Sequence, residues 1–531
     1  MSLVVASGGP APRVVFPTVP QMFEASARRW PARIALQWRA RAWSYSALHL
    51  DVERLATILT GRALTGPGRV AALLLPNHSD GVLLVLAALR AGAAMVLLSP
   101  LDAPIVQIKK LRNAGADLLV ADPAFCQAEL VADMQSRGGT VVWAGDCLPE
   151  QVLPPGQRLL ALLQGDEDIS TAPLPDVSPE STALLQYTGG TTGEPKAAIL
   201  THANLTSVCE QFWQITRGEP PILREGDESL LLCLPLFHVF ALAANLLLGI
   251  RLGATILLHE KFDAAQVLRC IADQKITMFS GVPTMYGLLL QHPACRSEAL
   301  SSLRYCLSGG APLSAETHQK FEALSGLRLT EGWGMTETSS GGCYAPPNGR
   351  VKPGSCGVPL PGVTLQLRDL NDSERLTPLG KAGELCIQGP NVMRGYLGGG
   401  DGASQAFTSD GFLRTGDIAV IDHDGDVHIV DRLKDMILCG GYNVYPRTIE
   451  SALYEHPAVQ EVLVVGVPDA KRGQAPKAFL QLRPGHPVPS LDAVQTFLRS
   501  RVGKHELVQA IEIRAELPRT AVGKLSKKDL T

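Results

Sequence analysis

Apolar and polar positions along the chain alternate between helical and strand periods, and this alternation predicts a regular succession of elements. Compact apolar runs over 34–38, 69–74, 94–98 and 118–121 are typical of buried strands, and helical spacing holds over 19–30, 45–64 and 82–91. A similar succession returns over 230–308. Strands that alternate with helices indicate doubly wound, mostly parallel sheets, so the predicted fold class is α/β.

The pattern changes near residue 354. Short alternating segments with Gly, Pro and Asp predict antiparallel strands to residue 431, in a small β-barrel-like subdomain. A hairpin over 418–430 is expected to turn at Asp424-Gly425. The roughly one hundred residues beyond 433 suit a smaller α+β domain. We therefore predict a large domain over 1–432, which begins with a loose leader over 1–16, and a small domain over 433–531.

Three aspartates of this hairpin, Asp422, Asp424 and Asp426, invite comparison with a calcium-binding loop. The EF-hand pattern requires Gly at its sixth position and Glu at its twelfth, and the sequence meets neither requirement. We interpret the three aspartates as residues of the hairpin turn.

Residues 230–250 carry no charge, over a length that suits a membrane span. Pro235 near the start, with His238 and Asn245 inside, favours a buried strand, a turn and a buried helix instead. We therefore expect no integral membrane segment.

Composition is that of an ordinary soluble protein. With 531 residues, 46% hydrophobic and 19% charged, the chain is long enough for at least two domains. A net charge of −3 gives no reason to expect a nucleic acid partner. Eleven cysteines without a C-x-x-C pair indicate a reduced, cytoplasmic protein. Peripheral membrane association is the alternative location, and a monomer or a homodimer is expected.

A loop rich in glycine and threonine follows the apolar run 183–185 and reads Y-T-G-G-T-T-G-E-P-K over 187–196. Its glycines allow backbone N–H groups to approach a ligand closely, and its threonines add side-chain donors. A lysine at its end suits phosphate oxygens, although the G-K-[ST] ending of a Walker A loop is absent. The sequence therefore predicts a phosphate site made of Thr188, Gly189, Gly190, Thr191, Thr192, Gly193 and Lys196.

Two more glycine-containing turns follow apolar strands. The turn S-G-G-A-P over 308–312 leaves room for a flat ring, with a plain βα turn as the alternative. In E-G-W-G-M-T-E-T over 331–338, Trp333 can stack on a base, Thr336 can bind a phosphate and Glu337 can hold Mg²⁺.

The loop resembles the phosphate-binding loop of the adenylate-forming (AMP-binding) superfamily, which includes acyl-CoA synthetases, luciferases and peptide-synthetase adenylation domains. At least seven motifs follow in the family order over nearly the whole chain. Ala197, Trp333 and Asp431 depart from the family pattern, where Gly, Tyr and Gly are usual. The resemblance, which is greatest to bacterial acyl-CoA synthetases, implies an AMP-forming acid–thiol ligase that uses ATP, Mg²⁺ and coenzyme A.

The resemblance also implies roles for individual residues. Asp417 and Arg432 would bind the ribose, and Glu337 with Thr191 the metal. The remaining nucleotide-binding residues would be Gly309, Gly310, Ala311, Trp333, Gly334 and Met335. The acyl pocket would be lined by Phe237, His238 and Val239. The catalytic residues would be Lys524, Thr336, Glu337 and His238.

The small domain is implied to be mobile. Lys524 would bridge the carboxylate and the α-phosphate in the first step, after which the domain would rotate about a hinge at Lys434. A loop containing Gly440, Gly441 and Tyr442 would then guide the pantetheine arm of coenzyme A.

The substrate is left open between classes. A medium- or long-chain fatty acid is favoured, partly because the small residues over 339–342 could leave a channel, and an aryl acid of benzoate or cinnamate type is the alternative. A carrier-protein phosphopantetheine is the alternative acceptor. A catalytically silent nucleotide-binding protein is a further alternative, against which Lys196, Glu337, Asp417 and Lys524 argue.

Overall fold

The computed structural model describes residues 5–146, 157–159, 173–188, 196–347, 349, 352, 354–399, 405–519, 525–527 and 530. The first strands in chain order are β1 (Val5–Ser7), β2 (Ile34–Trp38), β3 (Arg41–Ser44), β4 (Val70–Leu74), β5 (Ala94–Leu97), β6 (Leu118–Ala121), β7 (Thr140–Trp143), β8 (Gln157–Arg158), β9 (Thr182–Tyr187) and β10 (Ala197–Thr201). They are followed by β11 (Ser229–Leu232), β12 (Thr255–Leu258), β13 (Met278–Gly281), β14 (Tyr305–Gly309), β15 (Leu329–Trp333), β16 (Cys343–Tyr344), β17 (Val358–Pro359), β18 (Thr364–Arg368), β19 (Gly383–Gln388) and β20 (Gly395–Tyr396). The last strands are β21 (Leu413–Ile421), β22 (Val427–Arg432), β23 (Ile437–Cys439), β24 (Tyr442–Val444), β25 (Val459–Asp469), β26 (Gly473–Leu482) and β27 (Ala510–Ile513).

Most of the helices alternate with strands between β3 and β15. The helices are α1 (Val19–Arg29), α2 (Tyr45–Gly61), α3 (Ser79–Arg90), α4 (Pro104–Ala114), α5 (Ala128–Ser136), α6 (His202–Ile215), α7 (Val239–Ala241), α8 (Leu248–Leu252), α9 (Ala264–Gln274), α10 (Pro283–Gln291), α11 (Ser297–Leu300), α12 (Ala315–Ser325), α13 (Pro446–Tyr454) and α14 (Leu491–Leu498). A π-helix, Leu242–Leu247, joins α7 to α8.

Two large sheets with mostly parallel cores confirm the doubly wound architecture. One has the order β20-β10-β9-β5-β4-β6-β7-β8, and the other the order β17-β16-β15-β14-β13-β11-β12-β2-β3. Helix α3 contacts β5 of the first sheet and β2 of the second, so it lies between them. Because it is enclosed on both sides, every residue from Gly81 to Leu89 is buried, as the apolar composition of this helix requires.

The third sheet is antiparallel throughout, as the change of pattern predicts, with the order β1-β18-β19-β21-β22. The hairpin between β21 and β22 turns at Gly425, whose φ of 88° is available to glycine without strain. The predicted loose leader is wrong for residues 5–7. They form β1, which pairs with Thr364, Leu365 and Gln366 and so covers the edge of β18.

The C-terminal part of the chain has its own sheet and core. Strands β24-β23-β26-β25 form the sheet, and β27 pairs with β26. Helices α13 and α14 contribute Ile449, Leu453, Val494 and Leu498 to its buried cluster. The third sheet ends at Arg432, and a 3₁₀ turn, Leu433–Asp435, leads to this last sheet.

The uncharged stretch 230–250 folds into β11, a turn, α7, the π-helix and the start of α8. The π-helix interrupts the helix that we expected over 239–250. Near the point where α-helical hydrogen bonding gives way to π-helical bonding, the Asn245 side-chain amide donates to Phe240 O at 2.9 Å. Within the described ranges, no helix is both long and apolar enough to cross a membrane.

Candidate active site

The base of the predicted phosphate loop is closed by strand pairing. Tyr187 of β9 lies opposite Ala197 of β10, and Thr188 N donates to Lys196 O at 3.1 Å. The loop therefore leaves and re-enters the sheet at adjacent points. Gly189, Gly190, Thr191, Thr192 and Gly193 lie outside the described residues, so their roles stay predictions.

A hydrogen-bonded group joins three of the predicted nucleotide-binding residues. Trp333 Nε1 donates to Asp417 Oδ2 at 2.9 Å, and Arg432 Nε contacts Asp417 Oδ1 at 2.6 Å. Asp417 is 2% exposed. Burial raises the pKa of its carboxyl, which the positive charge of Arg432 and the Trp333 hydrogen bond oppose. The indole, which stands where the family usually has tyrosine, therefore supplies a hydrogen-bond donor to this carboxylate.

The Trp333 ring lies against backbone that has no side chains to obstruct it. A Cβ at Gly342 would approach the ring to 2.4 Å, and one at Gly334 would meet Ser340 O at 2.2 Å. Gly342 therefore leaves room for the indole, and Gly334 allows the turn to approach the backbone of Ser340 closely. Met335 is half-buried and ends the turn.

The turn after β14 presents backbone to solvent. Gly310 and Ala311 are exposed, and Gly310 has a φ of 86°. Gly309 is buried, and a Cβ there would be 3.1 Å from the Phe240 ring. A flat ligand ring can lie against this backbone, with Phe240 behind it; the sequence interpretation did not single out Phe240.

Glu337, Tyr396 and Lys196 form a second group. The Tyr396 hydroxyl donates to Glu337 Oε1 at 2.6 Å, and Lys196 Nζ lies 5.6 Å from the centre of the Tyr396 ring. The sequence interpretation missed Tyr396. It comes close to Glu337 because the short strand β20 pairs with β10, where Tyr396 lies opposite Ala198, 198 positions earlier in the chain. Lys196 is exposed, so its charge faces the solvent side of the loop.

Glu337 is suited to a hard cation. It is 6% exposed, and burial raises the pKa of its carboxyl, which the Tyr396 hydrogen bond opposes. A buried carboxylate is stabilised in its charged form by a divalent cation, and Mg²⁺ prefers oxygen ligands. The residues present therefore fit Mg²⁺. Thr336 lies half-buried in the same 3₁₀ turn.

His238 caps α7, with Phe240 N donating to its Nδ1 at 3.3 Å. Because Nδ1 accepts, the neutral imidazole carries its proton on Nε2. Phe237 is half-buried beside it, and its carbonyl accepts from Gln186 Nε2 at 3.0 Å. Val239 is buried.

Asn77, which the sequence interpretation missed, fixes the turn that carries His238. Its Nδ2 donates to Leu234 O and His259 O, each at 2.9 Å, and its Oδ1 accepts from Leu236 N at 2.8 Å. An asparagine in a P-N-H turn after a buried strand was the available signal.

The expected channel along residues 339–342 is filled by side chains at two positions. A Cβ at Gly341 would lie 2.7 Å from both Leu360 and Val208, and Gly342 faces the Trp333 ring. Neighbouring side chains already occupy the space beside Gly341 and Gly342, so these two glycines do not open a channel.

The remaining predicted residues are those expected at the hinge and in the small domain. Lys434 lies in the 3₁₀ turn 433–435. Gly440 and Gly441 form the exposed turn between β23 and β24, with φ values of 58° and 82°, and Tyr442 is 61% exposed. Lys524 lies outside the described residues, so the roles of Lys434, Gly440, Gly441, Tyr442 and Lys524 stay predictions.

The hairpin aspartates surround a lysine. Lys352 Nζ lies 2.7 Å from Asp422 and 3.1 Å from Asp426, and it also contacts Asp424. The ammonium group thus balances charges that could otherwise attract a cation.

The family of AMP-binding enzymes matches residues 23–397, and its C-terminal domain matches residues 448–524. The chain belongs to this family. A long-chain-fatty-acid–CoA ligase of Bacillus subtilis is 35% identical, over 97% of this chain and 94% of its own length. A feruloyl-CoA synthase of an Amycolatopsis species is also 35% identical, over 95% and 96%.

Among solved AMP-binding structures, the o-succinylbenzoate coenzyme A synthetase of Bacillus subtilis in complex with ATP and magnesium ion superimposes with a TM-score of 0.82. It is 28% identical, with 96% of this chain and 98% of that chain covered. The expected family and α/β architecture are confirmed. The expected AMP-forming ligase reaction, with ATP as substrate, is confirmed for the family to which this chain belongs.

Proposed function

We propose that this protein is an ATP-dependent carboxylic acid–CoA ligase. The observation that carries the proposal is the arrangement of two groups around one loop base: Trp333 with Asp417 and Arg432, and Glu337 with Tyr396 and Lys196. The first supplies an aromatic face and a ribose-binding carboxylate, and the second supplies a buried carboxylate and a mobile cation.

The nucleotide lies between the backbone of 309–311 and the Trp333 ring. Asp417 accepts from the ribose hydroxyls, and Arg432 holds that carboxylate in place. Lys196 and the loop threonines bind the outer phosphates, and Glu337 with Thr191 holds Mg²⁺. The bound Mg²⁺ supplies positive charge to the phosphate oxygens.

The first step converts a poor acyl donor into a good one. A carboxylate oxygen attacks the α-phosphorus of ATP, and the bond to pyrophosphate breaks, so an acyl adenylate is formed. Two anionic reactants meet in this step, which therefore requires aimed positive charge rather than an acid or base. Lys196 provides part of this charge, and Lys524 holds the carboxylate against the α-phosphate.

The second step transfers the acyl group to the thiol of coenzyme A, with AMP as the leaving group. The small domain rotates about Lys434, which withdraws Lys524 and brings the turn 440–442 to the pocket. Domain alternation at a hinge of this kind is a general way to assemble two sites in sequence.

The acid is a long-chain fatty acid, as it is for the Bacillus subtilis ligase. An aryl acid remains the alternative, because the feruloyl-CoA synthase and the fatty-acid ligase have the same sequence identity to this chain, 35%. Phe237 and His238 are the half-buried residues at the start of this apolar segment, and either acid can lie against them. A carrier-protein acceptor, a cytoplasmic location and a monomeric or homodimeric state stay predictions.

The decisive experiment measures pyrophosphate release with a panel of fatty and aryl acids, each with and without coenzyme A. We expect acid-dependent release and an acyl-CoA product. Release without thioester formation would favour a carrier-protein acceptor, and no release with any acid would contradict the ligase assignment.

Lys524→Ala tests the proposed division of labour. We expect it to abolish acid-dependent ATP–pyrophosphate exchange while thioester formation from supplied acyl adenylate survives. Lys504→Ala is the control, because Lys504 is an exposed lysine of the same C-terminal part of the chain and has no proposed role. Equal loss of both half-reactions in Lys524→Ala would contradict the assignment.

A further inference from the structure

Asp431 is a buried carboxylate at the junction of the two domains. It is 1% exposed, although it belongs to a charged segment, D-R-L-K-D, that is usually solvated in proteins. Its Oδ1 accepts from Arg432 N at 2.7 Å, and its Oδ2 accepts from Arg447 N at 2.9 Å. Arg447 is the second residue of α13, so the carboxylate caps the N-terminus of a helix in the other domain.

This contact spans the proposed hinge. Asp431 ends the large domain, Lys434 follows in the 3₁₀ turn, and α13 belongs to the small domain. Rotation about Lys434 therefore separates Asp431 from the helix. A buried carboxylate that loses one of two N–H partners is strongly disfavoured, so the contact stabilises the domain arrangement that the structure records.

The same contact is connected to the nucleotide site through one residue. Arg432 gives its backbone N–H to Asp431 and its guanidinium Nε to Asp417, at 2.7 and 2.6 Å. Asp417 also receives the Trp333 indole. Residues that face the nucleotide are thus joined by hydrogen bonds to the helix of the small domain.

The recorded arrangement is not the one that delivers a thiol. Leu438 and Tyr442, on the two strands of the 437–444 hairpin, are 56% and 61% exposed, so the hairpin is not inserted into the large domain. The tail reaches the same neighbourhood: Lys527 pairs with Glu450 of α13 at 2.9 Å, and its positive charge opposes the rise that burial causes in the pKa of Asp431. Because the hairpin lies outside the large domain, we assign this arrangement to the adenylate-forming half of the proposed cycle.

We propose that Asp431 is a positioning residue that latches the small domain in the adenylate-forming arrangement by capping α13. The proposal rests on the ligase function proposed above. Asp431 touches neither substrate; it acts through Arg432 on the nucleotide side and through Arg447 on the side of the small domain.

The test compares the two half-reactions in Asp431→Ala, assayed at pH 8, where Asp431 is ionised although burial raises its pKa to about 6. Acid-dependent ATP–pyrophosphate exchange should fall by about fivefold or more, the loss of one buried charge-assisted hydrogen bond. Thioester formation from supplied acyl adenylate and coenzyme A should be unchanged or faster. Asp431→Asn keeps one acceptor oxygen. Its ratio of pyrophosphate-exchange rate to thioester-forming rate should lie between those of the wild type and Asp431→Ala, and this can be measured even if the alanine variant folds poorly.

Asp263→Ala is the matched control, because Asp263 also caps a helix, accepting from Gln266 N at 2.8 Å, but entirely within the large domain. It should leave the ratio of the two rates unchanged. As a readout independent of activity, trypsin should cleave the 432–434 segment faster in Asp431→Ala than in Asp263→Ala.

Parallel loss of both half-reactions in Asp431→Ala and Asp431→Asn, or an equal ratio change in the control, would overturn the latch. A wild-type protein that makes no acyl adenylate with any acid would instead overturn the ligase function. The two failures are therefore distinguishable.

Discussion

Trp333 donates its indole N–H to Asp417 Oδ2 at 2.9 Å, across 84 positions of sequence. The pair combines a stacking surface with the carboxylate proposed to bind the ribose, and it orients that carboxylate before a nucleotide arrives. Burial raises the pKa of the Asp417 carboxyl, and the Arg432 charge and the indole hydrogen bond oppose that rise.

Replacement of Trp333 by Phe preserves a ring but removes the donor. We expect the KM for ATP to rise about tenfold, which corresponds to roughly 1.4 kcal/mol for a hydrogen bond to a charged group, with a smaller change in kcat. Steady-state kinetics with varied ATP measures this. Trp43→Phe is the control, because Trp43 Nε1 donates to Asp51 at 3.2 Å away from the site, and its KM should not change. Equal shifts in both variants would contradict the assignment.

Replacement of Tyr396 by Phe removes the hydroxyl that donates to Glu337. Partners that hold a metal-ligating carboxylate typically affect metal affinity by tenfold or more, so the Mg²⁺ concentration for half-maximal pyrophosphate exchange should rise about tenfold. A magnesium titration of the exchange rate is the measurement. Tyr286→Phe loses a buried hydroxyl that donates to Leu307 O at 3.1 Å, and its magnesium requirement should stay that of the wild type.

Replacement of Asn77 by Ala removes three hydrogen bonds that fix the turn before His238. We expect a loss of about 2–4 kcal/mol in the free energy of unfolding, together with a KM increase that is larger for the acid than for ATP. Chemical denaturation and steady-state kinetics measure the two effects. Asn204→Ala removes three comparable bonds elsewhere and should destabilise the protein without raising the KM for the acid. If both variants changed the KM for the acid equally, the positioning role would be refuted.

Glu331 should make stability depend on pH. Burial raises the pKa of its carboxyl to about 7, and the groups that face it are Leu313 N, His318 and Arg447. Because the native state holds the proton more tightly than the unfolded chain, this contribution is complete below about pH 4.5 and is lost as the pH rises through 7. Glu331→Gln should therefore gain up to about 3 kcal/mol over the wild type at pH 8 and almost nothing at pH 4.5. Urea unfolding at both pH values checks this, and a gain independent of pH would contradict it.

Sequence alone determined the elements whose signals are local. Strands Ile34–Trp38 and Leu118–Ala121 have the predicted bounds. The side chains of Ser44 and Thr201 cap the helices that directly follow them. These features depend on side-chain periodicity and on hydrogen bonds between residues a few positions apart, so the amino-acid sequence is sufficient to predict them. The family motifs were also readable, because each is a contiguous string.

Only the tertiary structure decided which distant groups meet. Residues 5–7 became an edge strand beside 364–366, Tyr396 reached Glu337, and Asp431 reached the helix of the small domain. The sequence of each segment does not indicate which other segment it will contact. The edge of a sheet can pair with any extended backbone, and a buried carboxylate can accept a hydrogen bond from any aligned N–H. The packing of the sheets and helices decides which of the possible strands and N–H groups comes close enough to form each contact, and this packing depends on the whole fold.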